Sequence, residues 1–559
     1  MAYIVKRKNR EGKYYVYLIE SFREGDKVKK RTLRAYGSLD KLEEDEPGVF
    51  ERLRKEAKLG LLNEEISSQL FVTYNLNQEI THDDVLYGWN IFEELFYALK
   101  IPDALKLVFS NTKKVKQYQK VLELLIYQRI LNPGSKLYTL NSQKGMFGNW
   151  DIKENTLYRS LLPLSQAKSE IQLQVHKSIT ESIGRTGTLV FYDVTNYYFE
   201  IDFNDEDVED ETNGKITKGL RKKGPCKSKS GNPIVQLGLF MDTKGIPISY
   251  QLFSGNETDP ITYIPAIEQV KRQFGLEKVV VVADKAMNSK KNITKTLANK
   301  DGWLFSQKHR GKRGAPKDIQ DFILEPRGWI YNEDMTFATK SMIRTRKLEG
   351  KNNEVKEKVL VTWNKKYAIR EKKRRDGAIE YASKLTDAEL FRQTSKKGGK
   401  RYLELSYLDK DTGEIKPFSP LIQFDKEQIE FDEQFDGINV LVTSEIDMSD
   451  EDMIQHYGEL YKIEDCFKIT KTNIESKPVH VRLEEHIEAH FLTCFLALIF
   501  LRILQNKTNW ELSPKRLIDA IKSSKSNELT TGFYRVQAND DLKRLLEILK
   551  IKWDKGIVK

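Results

Sequence analysis

TLVFYDVTNYYFE, residues 188–200, is a run of β-formers with a single carboxylate at its centre. Leu189, Val190, Phe191, Tyr192, Val194, Tyr197, Tyr198 and Phe199 are crowded as in a strand buried on both faces. A carboxylate among them is costly to bury unless positive charge offsets the cost. Asp193 therefore points to a metal ion or a cationic partner. The plainer alternative is a strand-end aspartate bonded to backbone.

A second stretch, EKVVVVADK (residues 277–285), has four valines followed by Ala283 and Asp284. An apolar run ending in an acid predicts a central strand whose carboxyl end opens on a crevice. Between these strands, residues 233–242 and 247–253 read as a hairpin turned at Lys244-Gly245, and 261–274 as a helix. A helix over 289–299 and a strand over 303–307 follow. A third acid comes late, in SDEDMIQHYGELYKIEDCFKITKT (residues 449–472), read as one helix capped by Ser449. Tyr457, Tyr461 or Leu460, Glu464, Lys468 or Phe467, and Lys471 recur at helical spacing and share one face.

The order strand, two strands, helix, strand, helix, strand predicts an α/β fold with an RNase H-like core. From Asp284 to Glu464 is 180 residues, far more than a crossover needs, so a β-rich insertion is expected over 309–435, with strands at 355–363 and 401–408 and a basic helix, 365–385, carrying KKRR at 372–375. The core is then split into 185–308 and 436–510. Ahead of it, 1–60 reads as a small basic antiparallel sheet plus helix. Residues 61–184 read as a helical region with a short strand at 70–74. Both are candidates for DNA contact, the second for DNA ends through Lys113, Lys114, Lys116, Lys120 and Lys136 as surface cations, and 511–559 reads as a helical tail. An acidic run at 205–211 and a basic run at 215–229 read as a loop over the site.

Composition narrows the class. With 93 Lys+Arg against 82 Asp+Glu the net charge is +11, which favours an acidic partner, nucleic acid first. Three scattered cysteines give neither a disulfide framework nor a cysteine zinc site, as in a reducing cytosol. The most apolar run, 491–504, is short for a bilayer span and is expected to be a buried helix. A soluble intracellular protein is the default expectation. His486 and His490 stand i, i+4 on a helix but lack a third ligand in view, so packing is expected. Trp329 and Trp363, candidates for stacking on a flipped base, are likewise expected in the core.

Together these residues resemble the DDE transposases of bacterial insertion sequences. The closer resemblance is to the subgroup with a β-rich insertion and a Y-x2-R-x3-E-x6-K signature. Here that signature is Tyr457, Leu460, Glu464 and Lys471, with leucine where the subgroup has arginine. FYDVTNYYFE, LFSGNETD, VVVADKAM and EAHFLTCFLALI also resemble family sequence. The resemblance implies cleavage at the element ends and strand transfer into target DNA. It implies Asp193, Asp284 and Glu464 as catalytic metal ligands, with two Mg²⁺ for which Mn²⁺ substitutes. It further implies double-stranded DNA with terminal inverted repeats as partner, a homodimer on paired ends, no membrane, and a bacterial cytoplasmic, nucleoid-associated location. Tyr457, Lys468 and Lys471 are the expected DNA contacts, the two lysines standing in for the missing arginine and Leu460 packing inward. Two other readings share much of this pattern: an inactive transposase-derived DNA-binding protein, and an RNase H-like nuclease or resolvase. A phosphotransferase using ATP would want a glycine soon after Asp193, where Val194-Thr195-Asn196 stand.

Overall fold

The computed structural model describes residues 2–9, 12–24, 27–58, 85–185, 188–209, 214, 216–225, 231–311, 315–350, 353–384, 398–406, 421–530, 533–551 and 557–558. The strand expected at 70–74, and residues 215 and 226–229 of the basic run, lie outside them.

Residues 2–58 belong to the smaller of two compact units, which also takes in 527–530, 533–536 and 557–558. Strands β1 (Ala2–Lys8), β2 (Tyr14–Glu24) and β3 (Lys27–Ser38) make an antiparallel sheet. Ile4, Val16 and Leu18 pack against Val49, Leu53 and Ala57 of the following helix. Lys6, Arg7, Lys8, Lys29, Lys30, Arg31 and Arg34 are exposed, and being consecutive within their strands they are spread over both faces of the sheet and not on one basic face.

The larger unit is built on a mixed sheet of nine strands. In chain order these are β4 (Leu189–Tyr198), β5 (Ile234–Met241), β6 (Pro247–Ser254), β7 (Val280–Ala283), β8 (Gly302–Ser306), β9 (Ile330–Tyr331), β10 (Phe337–Lys347), β11 (Glu354–Asn364) and β12 (Ile438–Thr443). Across the sheet they run β9-β10-β11-β12-β8-β7-β4-β5-β6. Strands β4, β7 and β8 are parallel, whereas β4–β5–β6 is an antiparallel meander. That five-strand order is the RNase H-like core. Strands β9–β11, from the segment expected as an insertion, join the sheet at its far edge through β12.

Strand alternation sorts side chains between two faces. Tyr192, Val194, Val281, Ala283, Trp303, Phe305, Val359, Val361, Val440 and Val442 share one apolar core. Trp329 and Trp363 pack against that core, as expected. The opposite face takes Phe191, Tyr197 and Tyr250. There Tyr197 meets Phe491, and Tyr250 meets Phe495, both on the helix Glu484–Lys507. This helix has 24 residues, longer than the apolar run suggested, and would be long and apolar enough to cross a membrane. Of its apolar window, 94% is buried inside the fold: it is a core helix, packed also by Phe92 of the helical region.

Several surface assignments change once packing is seen. Lys136, grouped with Lys113, Lys114, Lys116 and Lys120 as a surface cation, is 3% exposed, and burial pushes its ammonium down to about 7. Arg375, last of the KKRR run, is buried and paired with Asp436 and Glu433, so only Lys372, Lys373 and Arg374 face solvent. Of the strand expected at 401–408, Leu403–Ser406 is a strand behind a 3-10 turn ending at Tyr402, whose side chain is buried, and 407–408 lie outside the described residues. The tail expected as helical carries helices Pro514–Lys522 and Asp540–Leu549 with strands Lys525–Thr530 and Phe533–Val536 between them.

Glu123, in the helix Thr112–Leu131, is 8% exposed, and burial pushes its carboxyl up to about 7. A folded-state value above the unfolded one means that the native state holds the proton between about pH 4.5 and 7. Stability from this site is therefore greatest below that window and falls as pH rises through it. Glu123→Gln, which keeps the bond to Gln119, should flatten the loss by roughly 3 kcal/mol above pH 7. Urea melts of both proteins at pH 5 and pH 8 measure it.

Candidate active site

The two aspartates meet through strand register. Strand β7 pairs with β4 at Val280–Leu189, Val281–Val190 and Val282–Phe191, an offset of 91. Asp193 and Asp284 are also 91 residues apart, so the same register brings them level on neighbouring parallel strands. Strand β8 pairs with β7 at Ala283–Phe305, which sets Ser306 level with Asp284. Neighbouring strands lie about 4.8 Å apart. Level residues of a parallel ladder point to the same side, here the face opposite Tyr192, Ala283 and Phe305. Strands β7 and β8 stop at this row while β4 runs on. Asp193 is thus half-buried and Asp284 exposed, at the carboxyl edge where open α/β sheets place their ligands.

Each aspartate is anchored by the next backbone N–H. Val194 N donates to Asp193 Oδ1 at 2.8 Å, and Lys285 N to Asp284 Oδ1 at 2.6 Å. Ser306 Oγ donates to Asp284 Oδ1 at 3.4 Å.

The third acid comes from above this face. The stretch read as one helix is two: Asp450–Gly458 and Tyr461–Thr472. Between them Leu460 N bonds to Tyr457 O, Lys462 N to Glu459 O and Ile463 N to Leu460 O. These i→i+3 bonds wind the chain more tightly after Gly458 and shift Tyr457 in phase relative to Glu464. Leu460 is half-buried at the start of the second helix, and Tyr461 is 63% exposed. The second helix lies along β4. Tyr197 Oη and Thr470 Oγ1 are 2.6 Å apart, and the Lys471 ammonium donates to Thr195 Oγ1. Its other end is held by Arg502, whose Nη1 donates to Asp465 Oδ2 at 2.9 Å, and by Lys462, which donates to Thr243 O at 3.1 Å. Glu464, two turns before Lys471, is exposed on this helix.

Tyr457 links the parts. Burial raises the pKa of its hydroxyl, the Ser306 side chain lies close enough to lower it, and the negative charges of Asp284, Glu464 and Asp193 raise it. All three acids therefore lie within electrostatic reach of one hydroxyl. As oriented, no three His, Cys, Asp or Glu side chains among the described residues converge on one point that would hold an ion. The donor set nevertheless suits a hard divalent cation, being all carboxylate and hydroxyl oxygen without thiolate or imidazole.

Lys468 is exposed, whereas Lys471 is half-buried with its ammonium 5.6 Å from the Tyr197 ring centroid. His490 is 4% exposed, with Nε2 3.1 Å from Ser476 O, and His486 lies against the Tyr158 ring; both are packed residues. Ser306 and Thr195 escaped the sequence reading because a small hydroxyl residue in a strand carries no pattern of its own. The loop expected over the site carries a two-stranded ribbon, Val208–Glu209 with Ile216–Thr217, at whose base Arg221 pairs with Asp205.

A sheet of this order with acids at its carboxyl edge defines the RNase H-like class. Residues 210–500 match the transposase DDE domain, and residues 3–63 match the N-terminal domain of IS1634 family transposases. The chain belongs to the DDE transposases of bacterial insertion sequences. The DDE-domain match takes in Asp284 and Glu464 and begins after Asp193. No curated protein sequence is similar to the chain. Among solved structures, the piggyBac transposase synaptic complex with hairpin DNA aligns with a TM-score of 0.36 at 8% identity over 78% of each chain. The Mos1 mariner paired-end complex with Mn aligns with a TM-score of 0.14 at 12% identity, over 46% of this chain and 69% of that one. The family matches carry the assignment. The protein is accordingly an enzyme that acts on DNA, from a family that generally uses divalent metal ions.

Proposed function

We propose that Asp193, Asp284 and Glu464 are the catalytic metal ligands with which this transposase cleaves the ends of its element and joins them to target DNA. The level placement of Asp193 and Asp284, with Tyr457 in reach of all three acids, supports this reading. Two Mg²⁺ ions fit the donor set, and Mn²⁺ would substitute. When bound, such ions stabilise both the attacking and the leaving oxygen of an in-line displacement at phosphorus. Turning either aspartate towards an ion gives up one backbone hydrogen bond, about 1 kcal/mol. The substrate is double-stranded DNA with terminal inverted repeats, two protomers pair two ends, and the setting is the bacterial cytoplasm at the nucleoid.

The chain's own groups do the holding. Thr195 fixes Lys471 two residues along β4 from Asp193, a cation placed for a phosphate next to the cleaved bond. Tyr457 braces Ser306, and Ser306 braces Asp284. Lys468, free to swing at the surface, suits a phosphate further along the duplex. Lys471→Ala should therefore lower single-turnover cleavage about tenfold or more with little change in end affinity. Lys468→Ala should chiefly weaken binding and reduce its salt slope by nearly one unit. Gel-shift titrations at several salt concentrations, beside cleavage rates at saturating protein, separate the two. The reading itself is tested by cleavage of an insertion-sequence end duplex with Mg²⁺ and with chelator. Equal strand cleavage in chelator would overturn it.

A further inference from the structure

The loop after Asp284 is braced from the β10–β11 hairpin. Asp284 caps a 3-10 turn, Lys285–Met287, and Asn288 follows. The Asn288 amide is used at both ends. Its Nδ2 donates to Ser306 O at 3.1 Å and to Gln307 Oε1 at 2.9 Å, tying the exit of β7 to the exit of β8. Its Oδ1 accepts from Arg346 Nη1 at 2.6 Å, and its carbonyl accepts from Arg346 Nη2 at 3.4 Å.

Arg346 belongs to a buried cluster on the hairpin. Glu357 is fully buried: Arg344 donates from Nε and Nη2 to Oε1 at 2.8 and 2.5 Å, while Oε2 accepts no hydrogen bond. Arg344 Nη1 goes on to Asp318 at 2.9 Å. Arg346 stands 3.5 Å from Glu357 Oε2, so its short hydrogen bond goes to Asn288 instead. Arg346 thus lies between Glu357 Oε2 and Asn288, with its hydrogen bonds on the Asn288 side. Its side chain is 11% exposed, which makes a guanidinium there costly to keep without a task.

We infer that Arg346 and Asn288 are positioning residues: the hairpin's guanidinium locks the Asn288 amide and thereby sets Asp284 and Ser306 for the active site. The inference rests on the assignment of Asp284 as a catalytic ligand. Asparagine is the residue the geometry demands. Aspartate would keep an acceptor for Arg346 but turn a carboxylate oxygen towards Ser306 O and Gln307 Oε1, where a donor is needed.

The full-length protein carrying Arg346→Ala, Arg346→Lys, Asn288→Asp or Asp284→Asn tests this. Arg346→Ala and Asn288→Asp are expected to bind end DNA as the parent does. Mn²⁺ affinity of the DNA complex, read by electron paramagnetic resonance, and cleavage rate should each fall about ten- to a hundredfold. Amide exchange over 284–289 should quicken. Arg346→Lys, which keeps one donor, should recover part of both losses. Parent-like Mn²⁺ affinity and cleavage in Arg346→Ala and Asn288→Asp, with Asp284→Asn inactive, would overturn the positioning role alone. Cleavage surviving in Asp284→Asn would instead overturn the assignment of Asp284. If Arg346→Ala melts far below the parent, Asn288→Asp, which leaves the hairpin untouched, decides alone.

Discussion

Asp193→Asn is expected to lower end cleavage by at least about a thousandfold while leaving end binding nearly unchanged. Several kcal/mol of transition-state stabilisation depend on a carboxylate that ligates metal, and about 4 kcal/mol corresponds to three powers of ten in rate. Asparagine is isosteric and still accepts from Val194 N, so the strand and its packing are kept. It loses the charge, and with it the ability to hold a divalent cation against Asp284. Asp284→Asn and Glu464→Gln should behave alike, and any pair of these changes should cost little more than one, because the ligands act as a unit. Single-turnover cleavage of a labelled end duplex gives the rates, and a gel shift of the same duplex gives the binding. Cleavage within tenfold of the parent in Asp193→Asn would falsify the assignment.

The largest expected loss of stability lies away from the acids. Arg185 and Asp242 are each 1% exposed in their side chains and meet through Nε and Oδ2 at 2.7 Å. Asp242 Oδ1 also accepts from Ile246 N at 2.8 Å, closing the turn between β5 and β6. Arg185 Nη2 donates to Pro247 O at 2.9 Å. Its Nη1 stands 3.1 Å from His176 Nδ1, whose pKa falls to about 4, through burial first and then through this guanidinium. Arg185→Met removes the cation and leaves Asp242 charged in a dry site, which costs about 3–5 kcal/mol. Adding Asp242→Asn removes the stranded charge, keeps the acceptor for Ile246, and should restore more than half of the loss. Urea unfolding of the single and double variants measures both steps. A single variant within 1 kcal/mol of the parent would mean that water reaches Asp242.

The sequence by itself determined the strands of the core. Runs such as VVVVAD and LVFYDV are too apolar to lie anywhere but inside, and their shortness with their β-branched and aromatic content distinguishes them from the helices around them. It also offered Asp193 and Asp284 as candidates, since a carboxylate in an apolar run is conspicuous without any fold, whereas Glu464 was marked by helical spacing and the family signature. What it left open depends on contacts between distant segments. Whether 309–435 would stand apart or extend the sheet is decided by β11 pairing with β12, which no local pattern encodes. The break after Gly458 is hidden because the residues on both sides favour helix; only the docking of Tyr457 on Ser306 and of Thr470 on Tyr197 fixes two axes where one was expected. Arg375 and Lys136 read as surface cations because charge is visible in a sequence and burial is not. Arg346 reaches Asn288 across 58 residues, and Ser306 stands beside Asp284 only through the register of two strands. Tertiary structure decides such pairings because a hydrogen bond depends on where two groups meet in space, whatever their separation along the chain.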